Sequence, residues 1–105
     1  MATVTAKSDN AGQRRLMRLI GLLADAGIEG MRPRDLHPAL GCSAATITRD
    51  LQVMAAYGFA ERHDESGCWL LGMTAARMFA RHHAMLDKAV RRLDERKQRL
   101  AASAT

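Results

Sequence analysis

Apolar residues recur along this chain first at helical and then at seven-residue spacings, and between the two lies a stretch that alternates poorly but carries the parts of a hairpin. Between Gln13 and Ala26, Leu16, Leu19, Ile20 and Leu23 fall at i, i+3, i+4 and i+7, the single stripe of an amphipathic helix, and Gly27 supplies its stop. Arg14, Arg15 and Arg18 occupy the outward face; the first two offer themselves to phosphate, whereas Arg18 reads as solvated surface. After the link IEGM, the stretch RPRDLHPALG puts Pro33 at a first helical position, Leu36 and Leu40 on one face and Gly41 at the end. Pro38 has no amide hydrogen to give, so the pattern predicts a kink, a 3₁₀ turn or an early end there.

The stretch GCSAATITRDLQVMAAYGF, residues 41–59, predicts a third helix, capped by Ser43 and closed by Gly58. On its wheel Ala44, Ile47, Leu51, Met54 and Gly58 make one narrow stripe, while Ala45, Thr46, Thr48, Arg49 and Gln52 point the other way. Asp50 lies beside the stripe, placed to orient an arginine. FAERHDESGCWLLG carries a hairpin: a strand from Phe59 to His63, a turn through DESG and a strand from Cys68 to Leu71, with Trp69 as its anchor. Two strands alone are unstable in water, so they must lean on the helices.

From Thr74, taken as a cap, no Pro or Gly interrupts one long helix. Phe79, Leu86, Leu93 and Leu100 recur every seventh residue, and Ala76, His83, Val90 and Lys97 fill the alternate seam positions. Such a seam is buried either against a second copy or by folding back onto the body. The first reading is favoured, because the preceding residues already make their own core. Its interface residues are Phe79, His83, Leu86, Val90, Leu93, Lys97 and Leu100. The fold class is therefore mainly α with a small β-hairpin, organised as a disordered arm over residues 1–12, a compact domain over 13–73 and a dimerisation helix over 74–101.

A chain of 105 residues, 48% of them apolar, is one domain and lacks the bulk for a deep cleft with a separate substrate domain. No window is apolar enough for a membrane span, and MATVTAKSDN has no signal-peptide core, so a cytoplasmic location is expected. Sixteen Lys and Arg against eleven Asp and Glu give a net charge of +5, and thirteen of the sixteen are arginine. That side chain suits phosphates and guanine edges, which makes nucleic acid the first partner to consider. Cys42, Cys68, His63, His82 and His83 have no ligand spacing that a short loop would enforce, so no metal is expected. His82 and His83, adjacent on a helix, diverge by about 100° and cannot converge on one atom. With no carboxylate pair, nucleophile–base arrangement or phosphate loop, the chain reads as a non-enzyme without a cofactor.

The segment GCSAATITRDLQVMAAYGFAERHDESGCWLLG resembles the winged helix-turn-helix of bacterial transcription regulators. TITRDL is similar to the recognition helix of DeoR-type regulators, and CWLLG to the aromatic-x-Leu-Gly close of IclR-type wings; the whole is closer to the IclR type. The likeness covers roughly residues 13–75 as a set of ordered elements. It implies a winged helix-turn-helix followed by a long C-terminal helix, and double-stranded DNA as partner. By that likeness Ala45, Thr46, Thr48, Arg49 and Gln52 face bases in the major groove, while Arg32, Arg34, Ser43, Arg62 and His63 lie by phosphates. Chemically these residues fit, since Arg pairs with guanine, Gln with adenine, and Thr bonds either group or meets a thymine methyl. Two departures matter. Asp64 and Glu65 at the wing tip oppose deep minor-groove insertion. Only about thirty residues of helix stand where both families carry a sensing domain, so no small-molecule effector is expected. The expectation is a small homodimeric repressor or activator of a bacterial or phage-infected cell, or else a winged-helix module for protein interaction or DNA architecture.

Overall fold

The computed structural model describes residues 10–104, which form four α-helices, one 3₁₀ turn and a two-stranded hairpin. The fold is mainly α with a small β-hairpin, as the spacing predicts. Helix α1 (Ala11–Ala26) starts earlier than expected. Asn10 is its cap, its side chain accepting from the Gln13 amide at 3.1 Å, so Ala11 and Gly12, assigned above to a disordered arm, are helical. The rest of that arm, residues 1–9, lies outside the described residues. Link residues Gly27–Glu29 make the 3₁₀ turn, and α2 (Pro33–Leu40) follows.

Helix α2 shows neither a 3₁₀ turn nor an early end at Pro38. The helix runs through it to Leu40 and ends on left-handed Gly41, whose amide donates to the His37 carbonyl. Proline there forfeits only the bond to the Arg34 carbonyl, one turn back. Arg18 of α1, expected to be mere surface, donates to the Ala39 carbonyl at 2.5 Å. It thus satisfies an orphan acceptor at the end of α2, a favourable place for a cation.

Helix α3 (Ala44–Ala56) is capped by Ser43, whose hydroxyl accepts from the Thr46 amide at 3.2 Å. It closes as a Schellman motif around left-handed Gly58: Phe59 N–H donates to Met54 C=O at 2.8 Å and Gly58 N–H to Ala55 C=O at 3.1 Å. Ile47, Leu51 and Met54 bury the apolar stripe against Leu19 and Leu23 of α1 and Leu36 of α2, with Ala60 and Trp69 completing the core.

Strands β1 (Ala60–Arg62) and β2 (Trp69–Leu71) pair antiparallel, with Ala60 opposite Leu71 and Arg62 opposite Trp69. The hairpin does not stand alone. Met31, before α2, forms a bridge with Trp69, exchanging two bonds of 2.9 and 2.7 Å. Gly30 makes this approach possible: at φ 73°, a Cβ on it would lie 2.5 Å from the Trp69 carbonyl oxygen.

Helix α4 runs from Met73 to Ser103. Thr74 is its second residue and not its cap, because the first amides find acceptors elsewhere. Met73 N–H donates to the Glu61 carboxylate at 2.9 Å, and Thr74 N–H to the Gly58 carbonyl at 3.0 Å. A carboxylate at this end also complements the helix dipole. The chain divides into two units, residues 1–75 and 76–105, and most of α4 belongs to the second. No helix among the described residues is long and apolar enough to cross a membrane.

Two glycines give opposite expectations. Gly30→Ala should lower unfolding free energy by more than about 1 kcal/mol, through strain and collision with Trp69. Gly21→Ala, in the middle of α1 with open space around it, should raise it by about 0.4–1 kcal/mol. Urea unfolding of both variants checks the pair, and a stabilised Gly30→Ala would show that the Met31 bridge does not form.

Candidate nucleic-acid interface

The outer face of α3 is set by what its inner face buries. With Ile47 and Leu51 fully enclosed, helical geometry turns Ala45, Arg49 and Gln52 outward together, and all three are exposed. Thr46 and Thr48 sit half-buried at the margins. Their hydroxyls are already engaged: Thr48 Oγ1 donates to the Ala44 carbonyl at 2.9 Å, and Thr46 Oγ1 shares a hydrogen bond of 3.0 Å with Ser43 Oγ. What the threonines offer outward is methyl surface and spare lone pairs. Among the described residues the side chains of Arg49 and Gln52 have no hydrogen-bond or ion-pair partner, so they are the two long polar groups this face presents.

Asp50, the neighbour of Arg49, explains why the helix is held firmly. Its carboxylate takes both the Nε and the Nη2 of Arg15 in α1, the latter at 3.2 Å. The two side chains are mostly enclosed, and this hydrogen bond to Asp50, with the charge of the carboxylate behind it, holds the guanidinium pKa above its usual value. The expectation that Asp50 orients an arginine thus has its partner, and Arg15 leaves the set of phosphate contacts. Arg14, Arg15 and Arg18 nonetheless line one recess with Leu40, Gly41 and Cys42, which brings the basic face of α1 beside the α2–α3 turn.

The remaining site residues are spread over two edges. Arg32 is the residue before α2 and Arg34 its second position; both are exposed. Ser43 is taken up in capping. Arg62 ends β1, exposed, and His63 begins the turn with Nε2 3.4 Å from the Ile28 carbonyl. Beside His63 lies a shallow recess that includes Glu29, Asp64 and Glu65. Carboxylates on both sides make this edge a poor place for phosphate.

Two exposed residues that prolong the α3 face, Val53 (53% exposed) and Tyr57 (74%), were not among those its wheel pointed to. Nor did the net charge of the whole chain tell where that charge lies. Residues 1–72 hold eight Lys and Arg and eight Asp and Glu, and Met73–Ser103 hold eight and three. The whole +5 therefore belongs to α4, and the compact domain is neutral. Simple counting by segment would have shown it.

On α4, Phe79, Leu86, Val90, Leu93 and Leu100 are all exposed, Leu93 by 68%, with Met78 and Met85 alongside. His83 and Lys97 lie in the same stripe, and His83 Nε2 is 3.4 Å from Asp87 on the next turn. Among the described residues no three His, Cys, Asp or Glu side chains gather to hold a metal ion, and Cys42 and Cys68 are free thiols.

Comparison with family models, with curated proteins and with solved structures finds no match to this chain. Removing either partner of the α1–α3 clamp, Arg15→Ala or Asp50→Ala, should cost about 1.5–3 kcal/mol, the range for a hydrogen bond to a charged group. The double variant should cost clearly less than the two together, in a cycle of thermal unfolding measurements. Strict additivity would mean that the pair is not formed in solution.

Proposed function

We propose that the chain is a sequence-specific double-stranded DNA-binding transcription regulator with a winged helix-turn-helix of IclR type, acting as a homodimer through α4. The observation that carries this reading is the outer face of α3. A capped helix, wedged by its own core stripe and clamped by Arg15–Asp50, presents Arg49 and Gln52 without partners beside small neighbours. Small residues let a helix sink into a major groove, and those two side chains match the hydrogen-bonding edges of guanine and adenine. Arg32 and Arg34 stand at the amino end of α2, where helix geometry favours phosphate.

The homodimer follows from the seam on α4. Leucine or phenylalanine fills one alternate position while Ala76, His83, Val90 and Lys97 fill the other, and an exposed apolar row of this length calls for a cover. Two copies of one reading helix imply an operator with inverted half-sites.

A second reading, a protein-docking or architectural winged-helix module, is favoured by the neutral charge of the compact domain and by exposed Val53 and Tyr57. The two part on selectivity. Selection from a random duplex library by the purified chain should enrich an inverted repeat, and recovery of no shared sequence would favour the second reading. At a selected site Arg49→Ala should weaken binding by about 1–3 kcal/mol and relax preference at one base pair. For the dimer, Leu86→Asp with Leu93→Asp should give monomers in sedimentation equilibrium at concentrations where the unaltered chain is dimeric. A chain that is monomeric from the start overturns the seam.

A further inference from the structure

The whole excess of positive charge lies on α4, and five of the eight cations there are regularly spaced. Arg77, Lys88 and Arg99 follow one another at eleven residues, as do Arg81 and Arg92. An eleven-residue repeat is 3.67 residues per turn, close to the α-helical 3.6, so these five cations form a nearly straight row. At 100° per residue the row lies about 160° from the apolar seam. All five are exposed, and none has an ion-pair partner among the described residues. Glu95 is the one carboxylate on that side, while Asp87 and Asp94 flank the seam. From Arg77 to Arg99 the row is about 33 Å long.

We propose that this ridge binds the phosphate backbone of duplex DNA, as a grip separate from α3. The proposal rests on the reading that the chain binds DNA, and it names the part that supplies affinity. A neutral domain gains little from the field of a polyanion, whereas a straight row of arginines and a lysine gains for each phosphate it neutralises. Arginine predominates in the row, and its fork meets phosphate oxygens in pairs. A bilayer surface would also attract cations, but a helix lying in that surface sinks its apolar face. Its useful cations then flank that face and reach sideways to the headgroups. Here five of the eight cations stand on the opposite side, directed away from any surface the seam could enter, and only Arg91 and Arg96 lie on its flanks. The seam can therefore be covered by a second copy while the ridge stays accessible on both.

The test uses the full chain and a 30-base-pair duplex, with binding measured across a salt series. The ridge variant carries Arg77→Gln, Arg81→Gln, Lys88→Gln and Arg92→Gln, since glutamine keeps a helix propensity close to that of lysine and arginine. The log–log salt slope should shrink by about 0.9 for each phosphate the variant no longer neutralises. Affinity at moderate salt should fall at least tenfold, while the sequence preference selected by α3 is unchanged. Arg77→Lys, Arg81→Lys and Arg92→Lys together should retain the slope, which separates charge from helix integrity. If the ridge variant keeps the slope and affinity of the unaltered chain, the ridge proposal falls and the α3 reading stands. If the unaltered chain has no duplex affinity, both fall. Binding to phosphatidylserine vesicles in place of duplex would overturn the proposal and assign the ridge to a lipid surface.

Discussion

The compact domain depends on the position of one residue, Trp69, which serves the core through its side chain and, through its backbone, joins strand β1 on one edge and Met31 on the other. Its indole closes the cluster formed by Leu19, Leu23, Leu36, Ile47 and Leu51. One edge of its backbone pairs with Arg62 and the other with Met31. A two-stranded hairpin of three residues a side would not persist by itself. The Met31 bridge attaches it to the segment that introduces α2, so hairpin, α1 and α2 share one framework. That framework in turn sets the inner stripe of α3, and with it the residues that α3 turns outward.

How much of this was legible in the sequence depended on whether the cause was local. Helical stripes, the Ser43 cap, the Gly58 closure and the hairpin turn each rest on residues within one or two turns of each other, and each was readable. The Asn10 cap was equally local, with Gln13 three residues on, but the polar run before it masked the signal. Pro38 misled because its lost hydrogen bond is weighed against two further residues of a helix already packed through Leu36 and held at its end by Arg18. The Met31–Trp69 bridge, the Arg15–Asp50 clamp and the Arg18–Ala39 bond join positions 21 to 38 residues apart, and no periodicity announces a contact made by a single pair. Of the candidate site, the outward set on α3 was legible from its wheel. The prior engagement of Ser43, Thr46 and Thr48 was not, because short hydroxyl side chains bond to whichever backbone or neighbour the local geometry offers.

Net charge for the whole chain points to nucleic acid, but that charge lies outside the compact domain. With eight charges of each sign before α4, the three-helix and hairpin unit has no long-range attraction for a polyanion. On the DNA-binding reading, α3 then contributes discrimination through short-range hydrogen bonds, and attraction has to originate elsewhere on the chain. The acidic side of the hairpin strengthens this division, since Asp64 and Glu65 oppose the role that a basic wing would have.

Helix α4 carries two rows with different periods, and the difference has a physical meaning. A seven-residue repeat drifts by about 20° per heptad on a straight helix, and it becomes continuous only when two helices wind around each other. An eleven-residue repeat needs almost no winding to remain on one side. A row that must be twisted to close suits a partner that twists with it, a second helix. A row that is straight at the start suits a partner that meets the helix from outside. On the proposed reading the two rows are two faces for two partners, a second copy of α4 along the seam and duplex along the cations.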